Sequence, residues 1–410
     1  MRIERSPAAI SERKAVEPRR ENPLTPSFIA AIGILLAHFV LLVVAIPDYR
    51  VTIDSAYHVA LGRAYGTHGL VTWDKINFGP RGRPNLQAPM LHLAIGALGR
   101  AIGGAGNSYI FGKAILAVLQ WAAAMATAAW FAWRLGGATA MLFAATLLSG
   151  AAFAGGSFAA GIPSGWLFIE TPWAIWFFLR RRTGASAAAT SAAIYTHLGG
   201  YLTAPVGVFV AAAITRRWRA LVIVGAITAI LTAPYTIHVL RYLGWLSGVR
   251  SHSALLFDPM LDLLAIAGAV RILRHPRDNP FMTAWLLAPI AWVFQDPGRF
   301  FLQWPLGGSV AAALMLTDWI NRIELPHRRA LYSAAIAAIA SLAPFGPPSL
   351  AAEIAWDAGM RWPRPVNWNR AHKLANEVKG AGLTGYLVAD YNPALCPAIA
   401  VYAPISCEKG

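Results

Sequence analysis

Residues 27–46, SFIAAIGILLAHFVLLVVAI, contain no Asp, Glu, Lys or Arg. A helix needs about 20 such residues to cross the hydrocarbon of a bilayer, where every backbone N–H and C=O must be satisfied within the segment. The run is followed by no small-residue cleavage site, which makes it a retained anchor rather than a signal peptide. Comparable apolar segments recur as far as residue 346, and this recurrence restricts the fold more than any other feature. The chain is 57% hydrophobic and 13% charged, about half the roughly 25% charge of soluble domains. The expected class is an all-α polytopic membrane protein. The formal charge of +16 does not point to nucleic acid. Its arginines sit in short clusters between apolar runs, where they orient a chain in the bilayer, and no basic face with interleaved aromatics appears.

Those clusters set the topology. RRR at 180–182, RRWR at 216–219, RHPR at 274–277 and HRR at 327–329 belong in the cytoplasm. Each interval between them holds two apolar segments, hence a hairpin with an external turn. Segments 108–133, 137–155 and 160–179 cross, whereas PMLHLAIGALGRAIG at 89–103, short and carrying His92 and Arg100, lies in the outer interface. With one further span at about 330–346, the sum is about 11 spans, with the N-terminus inside and the C-terminus outside, in an inner (plasma) membrane. Residues 1–26 form a disordered cytoplasmic tail, 27–346 a transmembrane domain, and 347–410 a small extracytoplasmic α/β segment. Within that segment a helix near 369–379 precedes strands at YLVAD (386–390) and AIAVY (398–402). Cys396 and Cys407, the two cysteines of the chain, lie on the side where a disulfide is permitted. The other reading is two buried thiols.

The first external loop, 48–107, is far longer than most of the other connections, and long loops usually carry function. Its opening, DSAYHVALGRAYGTHG, reads as a surface helix. Asp54 stands at the N-cap, and Tyr57, Leu61 and Tyr65 recur at helical spacing. His58 follows Asp54 by one turn. THGLVTWD then brings Asp74, and GPRGRPN brings Arg81 and Arg83.

An acidic residue just after the first span, a Tyr-His pair on a helix of small residues, and APMLHL at 88–93 before the next span occur in an order that resembles the C-type (GT-C) membrane glycosyltransferases. These include protein mannosyltransferases, aminoarabinose transferases and oligosaccharyltransferase catalytic subunits. The resemblance covers about residues 27–135 in motif order and the whole chain in topology. It implies sugar transfer from a polyprenyl-phosphate donor to a protein, lipid or glycan acceptor at the extracytoplasmic face. It makes Asp54 the base or acceptor-orienting carboxylate, with Asp74 and His58 as further catalytic candidates. Arg299, in the turn DPGRFFLQW at 296–304, would meet the donor phosphate, with Arg81 and Arg83 as further contacts. Departures from the pattern are an Asp54-Ser55 pair where mannosyltransferases have Asp-Glu, no WWDYG signature and no DxD triplet. No subfamily follows, and the absent DxD leaves a Mg or Mn ion unsupported as a cofactor.

Two more polar residues belong with the site. Glu170 lies inside an apolar segment, where a carboxylate is expensive and functional by default. It faces either the cavity or a neighbouring helix. His197 sits at an external turn, as a cavity-lining residue or a turn residue. Asp258, before Pro259, reads as a helix cap. Two alternatives stand beside the transferase: a non-catalytic GT-C-fold subunit of a polysaccharide assembly or export system, and a membrane transporter. The second lacks the repeats and midplane charges that carriers use.

Overall fold

The computed structural model describes residues 25–44, 53–79, 81–149, 163–246, 259–295, 297–342, 367–383, 386–388 and 395–408. The tail 1–24, the stretch 343–366 and Asp258 lie outside the described residues. The described chain is a bundle of helices with two small pairs of strands. In order, the elements are α1 (Pro26–Val44), α2 (Ile53–His68), β1 (Trp73–Asp74), β2 (Arg83–Pro84), α3 (Pro89–Ile102), α4 (Gly106–Ser149), α5 (Pro163–Leu179) and α6 (Thr183–Thr196). A 3-10 turn (Leu198–Tyr201) leads to α7 (Thr203–Thr215) and α8 (Trp218–Arg241). Then come α9 (Pro259–Arg274), α10 (Pro280–Leu287), α11 (Ile290–Gln295), α12 (Pro297–Asn321), α13 (Pro326–Leu342), α14 (Trp368–Gly380), β3 (Tyr386–Val388), α15 (Leu395–Ala400) and β4 (Ser406–Glu408).

The helix pairs between the arginine clusters appear where the charge pattern puts them. Arg181 and Arg216 end their helices in the left-handed region, at φ 60° and 55°, where basic side chains also suit the negative end of the helix dipole. Among the described residues, three segments are both long and apolar enough to cross a bilayer: Gly106–Ser149, Leu198–Thr215 and Trp218–Arg241. Shorter apolar stretches lie at Pro26–Val40, Pro89–Ile102 and Pro280–Phe294, so the expected count of about 11 spans is not confirmed.

Segments 108–133 and 137–155, expected as separate helices, are two helical arms within α4 that meet at a kink at Gly137, whose φ of 82° no other residue type adopts readily; residues 150–155 lie outside the described residues. The hairpin arm 280–295 is interrupted between α10 and α11, around Pro289, which cannot donate to the preceding turn. The large core is formed by α4, α5, α7, α9, α10 and α12, centred on Phe131, Trp176, Phe281 and Trp285.

A second core joins α2, α3 and the start of α4 to the C-terminal segment. Here α2 and α3 cross closely enough that glycine is required. A Cβ at Gly96 would come within 2.8 Å of the Gly62 carbonyl oxygen, and one at Gly99 within 2.1 Å of the Tyr109 ring. The expected strand AIAVY is absent, because residues 395–400 wind into α15. The partner of β3 is instead β4, in parallel register from Tyr386↔Ser406 to Val388↔Glu408. The α15–β4 stretch is tied to the first loop. Cys407 donates its N–H to the Ile76 carbonyl at 2.6 Å and accepts from Gly79 N–H at 2.7 Å. The Arg63 guanidinium donates to the carbonyls of Ala400 and Val401 at 3.1 and 2.6 Å. Tyr402 donates its hydroxyl to Asn107 at 2.7 Å. A disulfide joins Cys396 to Cys407 across a Cα–Cα distance of 5.8 Å.

Candidate functional site

The site is built on α2. Its apolar stripe, Tyr57, Leu61 and Tyr65, is buried against Val71 and Ile76 of the loop that follows. This turns the opposite side, including His58, toward α3. The helix begins at Ile53, so Asp54 falls in the first turn rather than at the cap. The side chain of Asp54 lies outside the described residues. So does that of Arg299, whose backbone is in the first turn of α12 instead of an open turn.

Two polar clusters flank α2. In the first, Asp74 is 1% exposed, not the solvated loop carboxylate its position suggests. Its Oδ2 accepts from the Tyr57 hydroxyl at 2.8 Å, and its Oδ1 accepts from the N–H groups of Ile76 and Asn77 at 2.9 and 3.2 Å. Burial, then the Asp74 charge, push the Tyr57 phenol well above its usual pKa. Arg83 pairs opposite Asp74 in the β1–β2 ladder and lays its guanidinium 3.4 Å from the centre of the Phe78 ring. Arg81 is exposed, and its carbonyl accepts the Trp73 indole N–H at 2.9 Å. The segment carrying both arginines is therefore a tied ladder, not a flexible loop. From α8, Tyr235 donates to the Leu86 carbonyl at 2.9 Å, and His238 Nε2 lies 3.1 Å from that of Asn85.

In the second cluster, His58 Nδ1 lies 2.8 Å from His92 Nε2, and His92 Nδ1 lies 3.1 Å from the Ala88 carbonyl. His92 is fully buried and His58 nearly so. Burial drives the His58 pKa well below the ordinary histidine value. The neighbouring His92, Lys113 and His197 lower it further. Burial also lowers His92, to about 4. Both rings are neutral at physiological pH. Lys113, on α4, is 4% exposed. His197 accepts the Gly199 N–H at 2.9 Å on its Nδ1, so it shapes the turn after α6 while lying within electrostatic range of His58. The adjacent Thr196 donates to Glu170 Oε1 at 2.8 Å. Glu170 Oε2 is buried with no hydrogen-bond partner among the described residues.

The structure thus brings His58 and His197 together and sets Glu170 one residue from His197 through Thr196. Asp74 and Arg83 belong to the other cluster. His92 and Lys113 complete the arrangement without having been singled out as site residues. The sequence held a signal for Lys113, the lone charge within the apolar run 108–133, since such charges are rarely idle. Among the described residues no three His, Cys, Asp or Glu side chains are grouped to hold a metal ion. Asp74, whose two oxygens already receive three donors, does not fit as a cation ligand.

No sequence family matches the chain, and no curated protein does. Solved structures do. ArnT from Cupriavidus metallidurans bound to undecaprenyl phosphate superposes with a TM-score of 0.55 and 17% identity, over 91% of this chain and 74% of ArnT. The apo state of the same enzyme gives 0.54 at the same identity. The archaeal oligosaccharyltransferase AglB from Archaeoglobus fulgidus, in complex with an inhibitory peptide and a dolichol-phosphate, superposes at 0.63 and 11% identity, over 92% of this chain and 64% of AglB. The chain spans about three quarters of the one and under two thirds of the other. At such identities the likeness concerns architecture, and both neighbours are members of the GT-C superfamily. This membrane protein has the GT-C fold.

Proposed function

We propose that the chain is a glycosyltransferase that moves a sugar from a polyprenyl-phosphate donor to an acceptor at the extracytoplasmic face of the membrane. The observation that carries this reading is the polar cluster of buried His58, His92 and Lys113 with half-buried His197, gathered around the first-loop helix of a GT-C bundle. Polar groups are costly inside such a bundle unless they serve function. ArnT was solved with undecaprenyl phosphate and AglB with a dolichol-phosphate, which supports a prenyl phosphate as the leaving group here. About 11 spans, with an internal N-terminus and an external C-terminus, would put α2 on the outer side.

In this reading the acceptor nucleophile attacks the anomeric carbon and the carbon–oxygen bond to phosphate breaks. The bonding pair leaves with the phosphate, and the acceptor's proton passes to Asp54. Asp54 precedes His58 by four residues on α2, so the two share one helix face. Charge developing on the departing phosphate needs fixed cations, a role for Arg299, with Lys113 nearer the cluster. Arg81 and Arg83 sit on the loop beside it. Glu170, through Thr196, holds the turn that carries His197.

The test is Asp54→Asn in membranes of cells lacking the native protein. The variant should accumulate and insert but leave a prenyl-phosphate sugar unconsumed in the lipid extract. Normal consumption of that lipid by the variant would overturn the assignment.

A further inference from the structure

The His58–His92 pair has a direction. A carbonyl oxygen only accepts, so His92 Nδ1, 3.1 Å from the Ala88 carbonyl, carries a proton. The neutral ring then has a lone pair on Nε2. That lone pair faces His58 Nδ1 at 2.8 Å, which must therefore be the donor. A neutral His58 protonated at Nδ1 has its own lone pair on Nε2. The polarity of the backbone carbonyl is passed through two rings to the site.

The environment keeps this arrangement from inverting. His58 is faced by His92 from α3, Lys113 from α4 and His197 from the turn after α6, and its own helix contributes Tyr57. Tyr57 is committed to Asp74, so it does not compete for the ring. Protonating His58 would put a second cation beside Lys113 in a buried position, with His92 offering no counter-charge. His58 is for that reason a poor proton sink and a good fixed acceptor, and the proton of the transfer is left to Asp54.

We propose that His92 is a positioning residue which, anchored on the Ala88 carbonyl, holds His58 as the tautomer that accepts a hydrogen bond at Nε2 from a ring hydroxyl of the transferred sugar. This rests on the transferase reading, in which the sugar is the substrate part certain to carry hydroxyl donors.

The experiment has two arms. Histidine 15N NMR on the purified full-length protein, labelled at histidine, reads the tautomer directly and requires no activity. His58, assigned by its loss in His58→Asn, should be neutral and protonated at Nδ1 from pH 5 to 8. Protonation at Nε2, or titration near the ordinary histidine value, overturns the proposal. The second arm follows consumption of the prenyl-phosphate sugar that accumulates in cells lacking the protein. Phe at position 92 removes both polar atoms of the ring. Gln retains an N–H for Ala88 and an oxygen for His58. His92→Phe should lower kcat/KM by about 10- to 100-fold, the usual range for losing such a support, and His92→Gln should recover most of it. Equal rates in the two variants overturn the proposal. Should the protein consume no such lipid, the transferase reading fails while the NMR arm still decides the tautomer.

Discussion

Asp74 offers a test of what a buried carboxylate does beside a site. Replacing it with Ala strands the Tyr57 hydroxyl and the N–H groups of Ile76 and Asn77, at present held at 2.8, 2.9 and 3.2 Å. Each buried donor left without a partner costs about 1–3 kcal/mol. Water entering the opened loop would satisfy some of them, so the net loss is about 3 kcal/mol. At 1.4 kcal/mol per decade this raises the local opening equilibrium by about two powers of ten. Tyr57→Phe removes one donor and keeps the ring, and should cost about 1 kcal/mol, under one decade. Hydrogen exchange on peptides spanning 71–87, in detergent, measures both. The expected order is wild type, then Tyr57→Phe, then Asp74→Ala, with α5 and α7 unchanged. Wild-type exchange in Asp74→Ala together with loss of sugar transfer would refute the architectural role and make Asp74 a group that acts on substrate.

Cys396→Ser with Cys407→Ser opens a loop whose ends are 11 residues apart. The change should cost about 3 kcal/mol and speed proteolysis after residue 380, read by mass spectrometry. Gly99→Ala drives a Cβ to 2.1 Å from Tyr109. Overpacking of that kind costs about 1–3 kcal/mol, visible as a lower Tm, whereas Gly104→Ala meets no atom within 4 Å and pays mainly for its φ of 73°. The histidine pair also sets a pH dependence. Folded His92 has its pKa lowered to about 4, so the unfolded chain binds a proton that the folded one refuses. Stability should therefore fall as pH drops below about 6.5 and level off below about 4, by on the order of 3 kcal/mol for this ring. Denaturation at pH 7 and pH 5 checks it, and His92→Phe should flatten the slope.

Charge and hydropathy were enough to read the helical pairs, because arginine clusters and apolar runs act locally and one residue at a time. The helix after the first apolar run was legible for the same reason, through Tyr57, Leu61 and Tyr65. What they could not supply is pairing across distance. Nothing near Asp74 in sequence announces Tyr57 as its donor, and nothing in PMLHLAIG says that His92 meets His58. The AIAVY segment has strand composition but winds into a helix, since Cys396 and Ile399 are buried against the α2 and α3 side and packing overrides propensity. Lys113 was visible as a lone charge, yet its meaning depends on a histidine on another helix.

The guanidinium of Arg63 reaches carbonyls 337 and 338 positions further along the chain. During synthesis the first helices are in the bilayer long before those carbonyls exist, so insertion and competence are separate events. Residues 395–408 must be made and docked before α2 is braced. A nascent chain stalled earlier would hold every proposed catalytic side chain and still present them on an unsupported helix.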